Sequence, residues 1–262
     1  MTTALPIAAP AARSMPSTDV VAIPRLGHTE AMGLATTEFA RMVDLLQHLT
    51  DDEWLQPTVC SLWNVQAMVA HVVGMAEAQA SFRQFLHDFR AAGKRSGGAM
   101  IDALNATQVS DRTGVTPPQL VARLAGIAPA AVRSRRRTPA LMRNAVHFKQ
   151  DPPFETEKWR YGFLVDTIFT RDTWMHRLDI SRATARAMTL TPEHDGRLVA
   201  GVVAEWARRH GRPFTLTLTG PAGGTWNALG GGEEMTLDAL EFCWTLSGRA
   251  AGEGLLATPV PF

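Results

Sequence analysis

The stretch RDTWMHRLDI, residues 171–180, sets Asp172, His176 and Asp179 at spacings of four and three inside a helical pattern. A carboxylate and an imidazole one turn apart project from the same helix face. A second histidine, His71, interrupts an apolar stripe in VQAMVAHVVGM. If those two helices are neighbours in a bundle, His71, Asp172 and His176 converge. Two imidazoles and one carboxylate form a three-ligand set for a divalent ion, with at least one position left for water or substrate. Each residue also has a plainer reading. His71 can be a core histidine bonded to a carbonyl, and Asp172 with His176 a surface pair on one helix. Asp179 either supports His176 from behind or accepts from a nearby arginine.

Four long helical patterns must position these residues. The first covers residues 27–49, with Met32, Ala35, Phe39, Met42, Leu45 and Leu46 near helical spacing. The second follows Asn64, a suitable N-cap, and runs to Phe89 with the stripe Met68, His71, Met75, Ala78, Phe82, Phe85 and Phe89. The third region is broken into AMIDALNATQVSD and TPPQLVARLAGIAPAAVRSR, the latter with Thr116 as N-cap and Pro117 at its first position. A long excursion leads to the fourth helix, near 161–187, whose inward row is Leu164, Ile168, Asp172, His176 and Asp179. Arg171, Arg182 and Arg186 are expected on its outer side.

After LTPEHDG the period changes. An amphipathic helix, RLVAGVVAEWARRHG, precedes the alternating strand FTLTLTG, a Gly-rich turn, a helix TLDALEFCWTLSGR and a short final strand near GLLAT. The expected organisation is a flexible tail at 1–24, a four-helix bundle at 25–187 and a small α+β domain at 188–262. The fold class is therefore mainly α.

Composition narrows the function. The 262 residues are 45% hydrophobic and carry a formal net charge of +1, which gives no electrostatic case for nucleic acid or a membrane surface. The basic run VRSRRR reads as a solvated helix end. Two widely separated cysteines, Cys60 and Cys243, make no disulfide framework, and both read as small hydrophobes. The N-terminal stretch lacks a basic signal-peptide start, and no apolar run is long enough to span a bilayer. A soluble cytoplasmic protein is expected.

CSLWNVQAMVAHVVGMAEA resembles the second-helix signature of the mycothiol-dependent maleylpyruvate isomerase-like family, within the DinB-like superfamily. RDTWMHRLDI looks like the fourth-helix motif of that family. LTLTGPAGGTW and LDALEFCWTLSGR resemble its C-terminal domain, related to sterol-carrier folds. In domain order the resemblance spans roughly residues 27–257. It implies zinc or another divalent metal held by His71, Asp172 and His176, with mycothiol as the thiol cosubstrate. One departure is visible: the family usually has glutamate where this chain has Asp172, and aspartate is shorter by about 1.5 Å.

Such a metal favours the thiolate of an incoming thiol, which is the nucleophile. In an isomerase the thiolate adds to an activated cis double bond, rotation follows, and elimination gives the trans isomer. In an S-transferase the same thiolate attacks an electrophile and stays attached. The ligands alone do not separate the two. Arg249, in LSGR, matches a recurring family arginine that could face the anionic thiol or substrate; as a helix-end cation it could equally serve terminal carbonyls. The expected partners are a small electrophilic substrate and a low-molecular-weight thiol, with a homo-oligomer left open. The competing class is a non-catalytic DinB-like protein whose metal site has drifted through Asp172 and now serves ligand or partner binding.

Overall fold

A computed structural model describes residues 17–95 and 99–262. Four helices form the expected bundle: α1 (His28–Gln47), α3 (Val65–Ala80), α6 (Pro117–Arg137) and α9 (Phe169–Thr184). α1 and α3 each pack against both α6 and α9, closing a ring. Around its core, Met32, Phe39, Met42, Met68, Val69, Val72, Leu120 and Leu124 are buried, drawn from the apolar stripes of α1, α3 and α6. The expected caps form. Asn64 accepts from the Ala67 N–H at 2.9 Å, and Thr116 pairs with Gln119 in a capping box ahead of Pro117.

Smaller elements complete the first part: α2 (Asp51–Trp54), α4 (Phe82–Ala92), α5 (Met100–Ser110), α7 (Ala140–Ala145) and the antiparallel pair β2 (His147–Lys149) and β3 (Lys158–Arg160). A short turn, α8 (Tyr161–Phe163), and a π-helical turn at Leu164–Ile168 lead into α9. The π turn loosens the hydrogen-bond ladder. Arg135, arriving from α6, donates from Nε to the Val165 carbonyl at 3.0 Å and from Nη2 to Thr170 Oγ1 at 2.8 Å.

The second helix departs from its expected course. Extended backbone at Ser81 (φ −137°, ψ 116°) ends α3, and the Ser81 hydroxyl caps α4 through Gln84 N–H. The turn carries Phe82, Phe85 and Phe89 out of the core stripe; they are 76%, 42% and 43% exposed. The periodicity is that of one helix, but the single extended residue redirects its last third.

In the second part, α10 (Arg197–His210) and α11 (Ala239–Leu246) pack with a sheet of β4 (Phe214–Thr219), β5 (Gly224–Ala228) and β6 (Glu233–Asp238). β5 runs antiparallel to β4, and β6 parallel to it. Trp206, Phe214, Leu216, Phe242 and Cys243 fill the core beneath, with Trp174, Met175 and Leu178 of α9 joining from the bundle. The Gly-rich segment expected as a turn contains β5 and the start of β6. The final strand expected near GLLAT is a 3-10 turn, Gly254–Ala257. Of the tail expected over residues 1–24, residues 1–16 lie outside the described residues. The remainder is not free chain: β1 (Thr18–Asp19) pairs parallel with β5 and gives the sheet order β1-β5-β4-β6. Among the described residues no helix is long and apolar enough to cross a membrane.

Candidate active site

α3 and α9 present His71, Asp172 and His176 to a common point. Asp172 Oδ1 lies 3.4 Å from His176 Nε2, and Asp172 Oδ2 lies 3.9 Å from His71 Nε2. The two imidazoles meet edge to face, with centroids 5.1 Å apart. One potential ligand atom from each of the three falls within 4.8 Å of the others. Donors around a tetrahedral zinc, with bonds near 2.0–2.1 Å, stand about 3.3 Å apart. The shorter carboxylate of Asp172 therefore still reaches, because the two helices bring it close enough.

Both histidines are anchored through their other ring nitrogen. His71 Nδ1 faces Gln108 Oε1 at 2.7 Å, and His176 Nδ1 faces Asp179 Oδ2 at 3.0 Å. With Nδ1–H donating to these oxygens, each Nε2 faces the shared space. Asp172 Oδ2 is buried without a hydrogen-bond partner. A buried carboxylate oxygen left unpartnered 3.9 Å from an imidazole nitrogen suits a cation. The donor set fits a divalent metal.

The electrostatics treat the two histidines differently. Burial pushes His71 down to about 4, against the opposing pull of Asp172, so its imidazole is neutral. Burial also opposes charge on His176, but Asp172 and Asp179 on either side prevail and raise it to about 9, so without a metal it is an imidazolium and an incoming cation must displace its Nε2 proton. Asp172 is held below the usual carboxylate range by His176 and His71 despite its burial. It is a carboxylate at neutral pH.

Arg249, just past α11, donates from Nε and Nη2 to the two oxygens of Asp179, each at 2.7 Å. Asp179 thus does both things its position allowed: it holds His176 and accepts a bidentate arginine. The Arg249 charge also reaches Asp172 and the half-buried thiol of Cys60. Burial raises the Cys60 pKa, Asp179 adds to the rise, and Arg249 opposes it. Trp63, whose ring lies 5.1 Å from that of His71, covers one side of the site.

Two residues escaped the sequence reading. Gln108 lies on α5, where nothing in its neighbours marks it. Gly74 lets it approach: a Cβ there would stand 2.7 Å from the Gln108 Cβ and from Arg112 Nη1. Cys60, read as a small hydrophobe, packs partly buried against the bundle core. Two expected surface placements change, those of Arg171 and Arg135. Arg171 is not on the outside of α9; it is 4% exposed and pairs with Glu205 at 2.7 Å. Arg177 is buried against Glu38 and Asp195. In the basic run at 132–137, Arg135 is buried beneath the π turn. Trp174 is a core residue whose indole N–H donates to Asp195 at 3.0 Å.

A bundle with a polar His-Asp-His centre, joined to an α+β unit that contributes an arginine to it, defines the class. Residues 35–181, more than half of the chain, match the family described as the mycothiol maleylpyruvate isomerase N-terminal domain, and the chain belongs to that family. Two crystal structures of mycothiol-dependent maleylpyruvate isomerase, one of them a histidine-to-alanine mutant, share the fold. Each has a TM-score of 0.55 at 15% identity and covers 89% of this chain and 93% of its own. Comparison with curated proteins finds no match.

Proposed function

We propose that this protein is a mycothiol-dependent enzyme, an isomerase or S-transferase, with a divalent metal, zinc in the first instance, held by His71, Asp172 and His176. The observation that carries the reading is the unpartnered, buried Asp172 Oδ2 set between two anchored imidazoles. Family membership supports the thiol, and the neighbouring crystal structures are of a mycothiol-dependent isomerase. When bound, the metal supplies a Lewis-acid position at which a thiol is held as its thiolate.

The chain's own residues do the rest. Gln108 and Asp179 fix the tautomers and ring planes of the two histidines. Trp63 shields His71 from water on one side. Arg249, locked by Asp179, places a fixed positive charge near the site, suited to an anionic thiol or substrate. The division of the chain near residue 188 belongs to the same proposal, supported by two cores and by an arginine delivered from the second unit to the first. A drifted, non-catalytic site is not favoured: the donors converge, and Asp172 reaches them.

The test is metal content. Protein grown with zinc should carry an equivalent of metal that disappears in His176→Ala and in His71→Ala. Unchanged metal content in both variants would refute the assignment.

A further inference from the structure

We propose a second divalent-cation site on the outer side of the bundle, formed by His87, Asp88 and Asp111 where α4 meets the end of α5. One potential ligand atom from each of these residues lies within 4.8 Å of the others. The decisive member is Asp88. It is 1% exposed, its Oδ1 accepts from Gln84 Nε2 at 2.7 Å, and its Oδ2 is buried with no partner. An amide thus orients the carboxylate and leaves one oxygen desolvated and unused, the arrangement in which a supporting residue presents a ligand to a metal.

The other two donors are within reach and already associated: His87 Nε2 lies 2.8 Å from Asp111 Oδ2. Both are partly exposed, so an ion can enter from solvent. They line a cavity of about 580 Å³ shared with Glu77, Arg83, Arg112 and Arg123. Arg112 is already neutralised, bonded to Glu77 and to the Gln108 carbonyl. One imidazole and two carboxylates cancel the charge of a divalent ion and suit zinc or manganese. Positions not filled by these residues would face the cavity, where Arg83 and Arg123 favour an anionic or water ligand.

A rival cluster, Glu38, His194 and Asp195, has comparable proximity but is closed. Its carboxylates are taken by Arg177, by Arg41 and by His194 itself.

The site does not depend on the metal assigned to His71, Asp172 and His176. The experiment counts zinc per chain in dialysed full-length protein at micromolar free zinc, by elemental analysis and calorimetry. His87→Ala and Asp111→Asn, both at partly exposed positions, should each bind one equivalent fewer than wild type, or bind it at least tenfold more weakly. Asp88→Asn should do the same. Far-ultraviolet circular dichroism in chelator should match wild type for the two exposed variants, which keeps the comparison sound if Asp88→Asn folds poorly. Equal zinc stoichiometry and affinity in wild type, His87→Ala and Asp111→Asn would overturn the proposal, whatever the central site holds.

Discussion

Asp172 is one methylene shorter than a glutamate, yet its oxygens stand 3.4 and 3.9 Å from the two imidazoles. Glutamate at this position adds reach that the site does not require. Asp172→Glu should keep the metal, whereas Asp172→Ala should lose it or bind it at least tenfold more weakly, as zinc titration against a competing chelator would report. Gln108 is the supporting residue most open to challenge. Gln108→Leu removes the acceptor of His71 Nδ1–H and should weaken metal binding by about 10–100-fold, with Gln108→Glu retaining most of it. An affinity unchanged in Gln108→Leu would show that His71 is oriented by packing alone. His71, Asp172, His176 and Asp179 were legible in the sequence because helical spacing puts three of them on one face and leaves the fourth alone on an apolar stripe. Gln108 was not, since its contact joins residues 37 apart and depends on how two helices pack.

That packing has its own signature. α3 and α5 approach closely at Gly74, where a methyl group would collide with Gln108 and Arg112. Gly74→Ala should destabilise by about 1–3 kcal/mol through overpacking. It should also weaken metal binding by shifting Gln108, as parallel unfolding and zinc titrations would show. A second device ties α1 and α9 to the π-helical turn Pro192–Gly196 ahead of α10. Arg177, 1% exposed, donates to Glu38 at 2.7 Å and to Asp195 at 2.8 Å, while Trp174 and Arg41 also bind Asp195. Removing the cation takes from two buried carboxylates the charge they share, leaving Glu38 to His194 and Asp195 to Arg41 and Trp174, so Arg177→Met should cost about 3 kcal/mol in chemical denaturation. Burial works against the charge on Asp195, but the Thr191 N–H, Trp174 and the two arginines hold its pKa below the ordinary 3.8. A depressed carboxyl stabilises the fold above its unfolded pKa, and that contribution fades as pH falls through the lower folded value. The deficit of Asp195→Asn should therefore be greatest near neutrality and shrink below about pH 4. A deficit independent of pH would remove the electrostatic explanation. Helix existence and the Asn64 and Thr116 caps were readable locally. The break at Ser81 was not, because the phenylalanine period runs through it unbroken, and β5 was hidden by the glycines around it.

At the level of the whole molecule, the first part holds the candidate ligands and the second supplies Arg249. The change of hydrophobic period near residue 188 was visible along the chain. Two features of the second part were not: β1 joins residues 18–19 to β5 across most of the sequence, and α9 contributes Trp174, Met175 and Leu178 to the second core. Arg249 is fixed on Asp179, which also holds His176, so loss of the arginine need not dismantle the ligand set. Arg249→Ala should lower affinity for the thiol more than for the metal. With neutral imidazoles and one carboxylate as ligands, a divalent ion leaves a net positive site, suited to an incoming thiolate. The most direct measurement is calorimetry of mycothiol binding to zinc-loaded and metal-free protein, in two buffers of different ionisation enthalpy. Mycothiol should bind the zinc-loaded protein alone, with a proton released near neutral pH as the thiol becomes a thiolate. Equal affinity for both forms, with no proton released, would contradict the assignment.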